Sequence, residues 1–197
     1  GSAATVNVNG FLTLTDHSTV NGNVVINKQD NVEPIVTVDH STITGQVSGA
    51  TKLVLDSGSV GSAARGETET LAVVSSGTSA ITALTDGQPI DYLTMNGGSL
   101  TVTNRGGSTG QVLVTELTVT ENSALNSDME LQASGEATLT FDHLTAENET
   151  TAVLTMDGEL TSEGATSYIT ICLSGNDDVE GGKAYALITL IDRTIPD

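Results

Sequence analysis

Tryptophan is absent from this chain, and aromatic residues make up only 3% of it. Basic residues are nearly as scarce: 6 Lys plus Arg stand against 25 Asp plus Glu, a formal net charge of −19. So acidic a surface repels phosphate backbones and anionic headgroups, which argues against nucleic acid and against direct membrane insertion of this segment. The single cysteine, Cys172, excludes an internal disulfide. No apolar run approaches the ~18 residues that a spanning helix needs. Nor does any stretch combine apolar residues at i, i+3, i+4 and i+7 with caps; Ser79 to Leu84 is expected to make one helical turn at most. Phosphate loops, dinucleotide fingerprints, Gly-x-Ser-x-Gly elbows and EF-hand loops are missing as well, so no cofactor is expected.

What the chain has instead is alternation. Leu12 and Leu14 flank Thr13, Val36 and Val38 flank Thr37, and Leu53 and Leu55 flank Val54. The same period returns around Thr94, Thr118, Thr140 and Thr155. A period of two with one apolar face means strands, and threonine suits the wetter side of a pleated surface. Asn, Asp, Gly and Ser separate these short segments and supply turn conformations. With 197 residues the chain suffices for one domain that buries about 70% of its unfolded surface.

The turns repeat in phase. Asp16-His17-Ser18-Thr19-Val20-Asn21-Gly22 returns as Asp39-His40-Ser41-Thr42-Ile43-Thr44-Gly45. Looser copies begin at Asp56, Asn96, Glu121, Asp142 and Asp157, and the gap from Asp56 to Asn96 leaves room for two coils. Repeats of this length point to a solenoid in which each coil lays its strands on those of the last, ~4.8 Å away. The reading is all-β, a right-handed parallel β-helix over residues 3–197 as a single domain; a β-sandwich is the alternative. Three polar stretches, Ser62 to Thr70, Asn104 to Gly110 and Ser174 to Gly182, read as loops leaving the coil, where binding tends to reside. Gly1-Ser2 (residues 1–2) reads as a cloning remnant and Ile195-Pro196-Asp197 as a cut, the signature of a piece excised from a longer exported protein.

An apolar-Thr-apolar strand followed by Asp or Asn and small turn residues resembles the passenger regions of bacterial autotransporter-like surface proteins, pertactin-like parallel β-helices. Leu53 to Val60, Leu93 to Val102 and the Gly182-Lys183-Ala184-Tyr185-Ala186-Leu187-Ile188 stretch carry the likeness. The resemblance implies an exported scaffold, at the cell surface, outer membrane-associated or secreted. It implies an adhesin-like role, with loops shown to an extracellular protein or glycan. Some members of that family carry proteolytic or glycan-directed activities in appended domains. No residues here identify such a domain, so the first reading is non-catalytic.

Other residue groups suggest chemistry. Leu53-Val54-Leu55-Asp56-Ser57-Gly58-Ser59 resembles the active-site loop of aspartic peptidases, in which two aspartates share a proton and activate water. One copy per chain would require a dimer, and Asp56 also falls in phase with the repeat turn at Asp39. A peptidase acting on surface glycoproteins is therefore the enzyme alternative. A carbohydrate-active β-helix is a further one, though paired carboxylates are everywhere and sugar-stacking Trp is missing. Stacked coils would bring Asp16, His17, Asp39 and His40 together as potential zinc or copper ligands, or simply as a solvent-facing polar ladder. Protonation of stacked imidazoles near pH 6 is expected to weaken that turn. Cys172 reads as an inert core thiol rather than a nucleophile. Asn176-Asp177-Asp178-Val179-Glu180 lacks the spacing of a calcium loop and reads as a solvated connection.

Overall fold

Side chains that alternate in and out make strands with one apolar edge to bury, and here the strands bury it by stacking. The computed structural model describes residues 4–64, 70–84, 90–104, 110–132, 136–162, 168–174 and 181–191. Every ladder between its named strands is parallel. The one antiparallel contact among the described residues is an isolated bridge between Gln29 and Val32. A sandwich requires antiparallel partners, so the alternative expectation falls and the chain is a parallel β-solenoid.

Each coil visits three faces in turn. The first face stacks β2 (Leu12–Leu14), β5 (Ile35–Asp39), β7 (Lys52–Asp56), β9 (Ala72–Ser76), the start of β11 (Tyr92–Asn104), the start of β13 (Glu116–Asn126), β15 (Glu136–Asp142) and β18 (Tyr168–Ser174). The second stacks β3 (Thr19–Val20), β6 (Thr42–Ser48), β8 (Ser59–Ala64), β10 (Thr78–Leu84) and the far halves of β11 and β13. It closes with β16 (Leu154–Met156) and β19 (Ile188–Leu190). The third carries β1 (Thr5–Asn9), β4 (Asn23–Asn27) and the ends of β6 and β8. Further along the stack that face is built from β12 (Gln111–Val114), β14 (Asp128–Leu131) and β17 (Leu160–Ser162).

Register turns the alternation into columns. On the first face Leu12, Val36, Leu53, Val73, Leu93, Leu117, Leu139 and Ile171 lie one above the next. Leu14, Val38, Leu55, Ser75, Met95, Val119, Phe141 and Leu173 form the second inward column. Between them runs an outward column of Thr13, Thr37, Val54, Val74, Thr94, Thr118, Thr140 and Cys172. A slip of one residue would turn every apolar side chain to water, which is why the register holds. The interior of both columns is buried, from Val36 to Phe141.

Two expectations need correction. Ser79 to Leu84 lies in β10, not in a helical turn, because Ile81 fills the inward column between Val60 and Val102. Cys172 stands in the outward column beside Thr140 and is partly exposed; its neighbours Ile171 and Leu173 hold the inward phase. Of the three expected loops, Ser62–Ala64 completes β8, while residues 65–69, 105–109 and 175–180 lie outside the described residues, and Asn176 to Glu180 with them.

Candidate functional site

The repeated turn forms the corner between the first and second faces. Asp16 and His17 (φ 58° and 62°), His40 (46°), Ser57 (49°), Gly77 (58°) and His143 (55°) are all left-handed there. One left-handed residue re-aims the chain sharply, and Asn, Asp, His and Gly accept that conformation most readily. This is the physical content of the Asp-His recurrence: a strand ends on a polar residue and its successor makes the bend.

Stacking brings part of the predicted His and Asp group together. The rings of His17 and His40 lie 6.0 Å apart, tilted by 43°. Asp39 and Asp56 are register partners in neighbouring strands. His40 Nδ1 donates to Asp39 Oδ1 at 2.5 Å, whereas Asp16 accepts from its own neighbour, Thr15 Oγ1, at 3.2 Å. Among the described residues no three His, Cys, Asp or Glu side chains converge as metal ligands. The hydrogen bond to Asp39 raises the pKa of His40 above its ordinary 6.5; partial desolvation opposes this, and the charges of Asp39 and Asp56 add to it. The direction of this shift is opposite to the weakening expected from stacked imidazoles alone, and the pH dependence of stability decides between them.

Asp56 is built into the same ladder. Its carbonyl accepts from the His40 amide at 2.8 Å, and the Ser57 amide donates to Ser76 at 3.0 Å. The carboxylate in register with it, Asp39, is engaged by His40.

Farther along the stack the corner widens. Register fixes Ser59, Ala80, Thr101 and Asn126 as one outward column of the second face. Back to the inward column of the first face, the intervening chain is 56–58, then 76–79, then 96–100, then 120–125. Each coil adds one residue, a bulge repeated at one corner, and bulges re-aim side chains where they occur. Gly98 shows how tight the result is: at φ 74° a Cβ would meet the Gly77 carbonyl oxygen at 2.1 Å.

The widened corner holds a cleft of about 420 Å³ between the turns 97–98 and 120–122 and the segment 143–153. Glu121 brings its carboxylate over Gly97, and Thr120 Oγ1 donates to Asn96 Oδ1 at 2.8 Å. The opposite wall hangs on Asn148, 2% exposed at the end of a short 3-10 turn (Ala146–Glu149). Its amide nitrogen donates to Asn122 Oδ1 at 2.9 Å and to the Thr151 carbonyl at 3.1 Å. Its amide oxygen accepts from the Thr145 amide at 2.9 Å and hydroxyl at 3.2 Å. Beyond this wall Lys183 Nζ grips both oxygens of Glu149, at 2.9 and 3.0 Å, a pairing that raises the lysine pKa.

The cleft therefore offers the carboxylates of Glu121 and Glu147, the imidazole of His143, the amide of Asn122 and hydroxyls from Thr120 and Thr145. It is a hydrogen-bonding surface with no aromatic plate. Sequence reasoning marked Glu121, Asn122 and His143 only as degraded turns and missed Thr145, Glu147 and Asn148. The spacing Thr145-x-x-Asn148 was the available signal, since a hydroxyl residue three before an amide or carboxylate residue marks a capped turn. In comparisons with known proteins, no family model, curated protein or solved structure matches the chain.

Proposed function

We propose that this chain is a non-catalytic scaffold, passenger-like and displayed at the cell surface or secreted, that binds an extracellular protein or glycan at its widened corner. One observation carries the reading. The strands of the first face hold a constant register while the corner that follows them lengthens by one residue per coil from Asp56 to Asn126, into a cleft walled by the anchored segment 143–153. A rigid stack that carries variation on its rim is how solenoids present binding surfaces. Hydrogen-bonding groups of several kinds and a negative surroundings suit a hydroxyl-rich or cationic ligand better than an anionic one.

The test is a binding screen of the whole chain against immobilised glycans and extracellular protein fragments, at physiological salt. Binding that disappears in Glu121→Gln and His143→Asn, exposed cleft residues whose substitution leaves the Asn148 network intact, with unchanged denaturation curves, supports the assignment. Absence of any binding, or binding that both variants retain, contradicts it.

A further inference from the structure

Two imidazoles meet across neighbouring coils where the Asp-His turn is first repeated. The ring centroids of His17 and His40 are 6.0 Å apart. Two imidazoles that share one metal ion, each with its nitrogen at ~2.0–2.1 Å, have centroids roughly 5 to 6.5 Å apart, depending on the angle at the metal. The observed spacing falls inside that range. The backbone holds both residues in place. The Ser18 amide donates to Ser41 Oγ at 3.0 Å, the Thr42 amide to the Ser18 carbonyl at 2.9 Å, and the His40 amide to the Asp56 carbonyl at 2.8 Å. Thr19 and Val20 then pair with Thr42 and Ile43. A ligand that joins the two rings therefore has only their side chains left to order.

Asp39 prepares one of the rings. An ionised carboxylate only accepts, so its bond to His40 Nδ1 places the proton of the neutral ring there and leaves Nε2 with a bare lone pair. A carboxylate behind an imidazole is the arrangement that orients histidines toward metals. The chain's third histidine, His143, also follows an Asp at a left-handed bend, but there Asp142 lies 3.9 Å from Nε2, the nitrogen that His40 keeps free. His143 is five ladder steps from the His40 coil, roughly 24 Å. Ser57 and Gly77 take the left-handed place in the next two coils, so the rings stop at two.

We infer that His17 and His40 form a two-imidazole site for a first-row divalent metal ion, copper(II) above all, which clips one coil to the next. The four ligands expected from the sequence reduce to two, because Asp16 is engaged by Thr15 Oγ1 and Asp39 by His40. Water fills the remaining positions. Imidazole suits copper, nickel and zinc, and copper(II) stands highest in the general order of divalent affinities. A tetragonal ion also tolerates a site that is mostly water. The net charge of −19 raises the local concentration of any cation. Asp39 acts as a positioning residue, since it touches His40 and not the metal. Because the ion joins two coils of the folded chain, its binding adds to the stability of the corner.

The test takes the full chain, stripped of metal with a chelator, and copper(II) alone as the probe. Copper(II) is paramagnetic and erases the proton signals of rings that bind it. The ring signals of His17 and His40 should vanish together below one equivalent while that of His143 persists. His17→Asn and His40→Asn, which keep a residue tolerant of the left-handed bend, should each weaken copper binding at least about tenfold, since each leaves a single imidazole. His143→Asn should leave copper affinity unchanged. Asp39→Ala should weaken binding about tenfold and move the His40 ring nitrogen shifts away from the Nδ1–H tautomer, a change that lost packing alone does not produce. Copper should raise the urea midpoint of the parent and not that of His17→Asn. Simultaneous loss of all three histidine signals, or parent affinity in His17→Asn, would mean adventitious surface binding and overturns the inference. The signals of the unaltered chain decide the matter even where a variant folds poorly.

Discussion

His40 Nδ1 and Asp39 Oδ1 form a 2.5 Å hydrogen bond at the second repeat of the turn, with Asp56 in register on the next strand. The pKa of His40 is raised by that bond. Its contribution is therefore fully present below the unfolded value near 6.5 and is lost as pH rises through the folded value. The groups facing it are Asp39, Asp56 and His17, the last with its ring 6.0 Å away. Urea midpoints measured from about pH 5.5 to about pH 8 should fall with rising pH more steeply for the parent than for His40→Ala. Equal slopes would remove His40 from the account.

Ser75 takes an inward place between Leu55 and Met95 and is 1% exposed, and its hydroxyl finds no hydrogen-bond partner among the described residues. A buried polar group left unsatisfied costs stability. Ser75→Ala should raise the unfolding free energy by about 1 kcal/mol in chemical denaturation. A loss of stability would show that the hydroxyl is satisfied in solution.

Gly98 holds the widened corner at φ 74°, with the Gly77 carbonyl against its missing Cβ. Gly98→Ala should cost at least about 2 kcal/mol, the left-handed penalty plus displacement of backbone. Gly181, which among the described residues has nothing within 4 Å of an added Cβ, is the control. Gly181→Ala should stay within about 0.5 kcal/mol of the parent in the same denaturation assay.

Asn148 ties Asn122, Thr145 and Thr151 together from a buried position. Asn148→Ala should cost about 2 kcal/mol and expose residues 143–153 to limited proteolysis. If that segment stays as protected as in the parent, packing and not the amide holds the wall.

Much of the architecture was legible because it is periodic. Alternation around Thr13, Thr37 and Thr94 gives strands, and the in-phase return of Asp16-His17 as Asp39-His40 gives stacking of one on another. Even the two coils expected between Asp56 and Asn96 are present, turning at Ser76 and Gly77. The cleft was not legible, because it arises from differences between coils and not from what they share. A bulge at Thr120 is invisible until register shows that Val119 and Glu121 answer Met95 and Asn96. Asn148 looks like any polar loop residue until Asn122 is found opposite it. Ser75 breaks the apolar phase, yet its neighbours Leu55 and Met95 keep it inside.

The parallel register is the claim on which the columns and the corner both rest, and proton–proton contacts in the isotope-labelled chain read it directly. The backbone of Thr94 should show contacts to Val74 on one side and to Thr118 on the other, with Leu93 likewise between Val73 and Leu117. Contacts pairing Thr94 with an antiparallel neighbour, or none to Thr118, would contradict the stack.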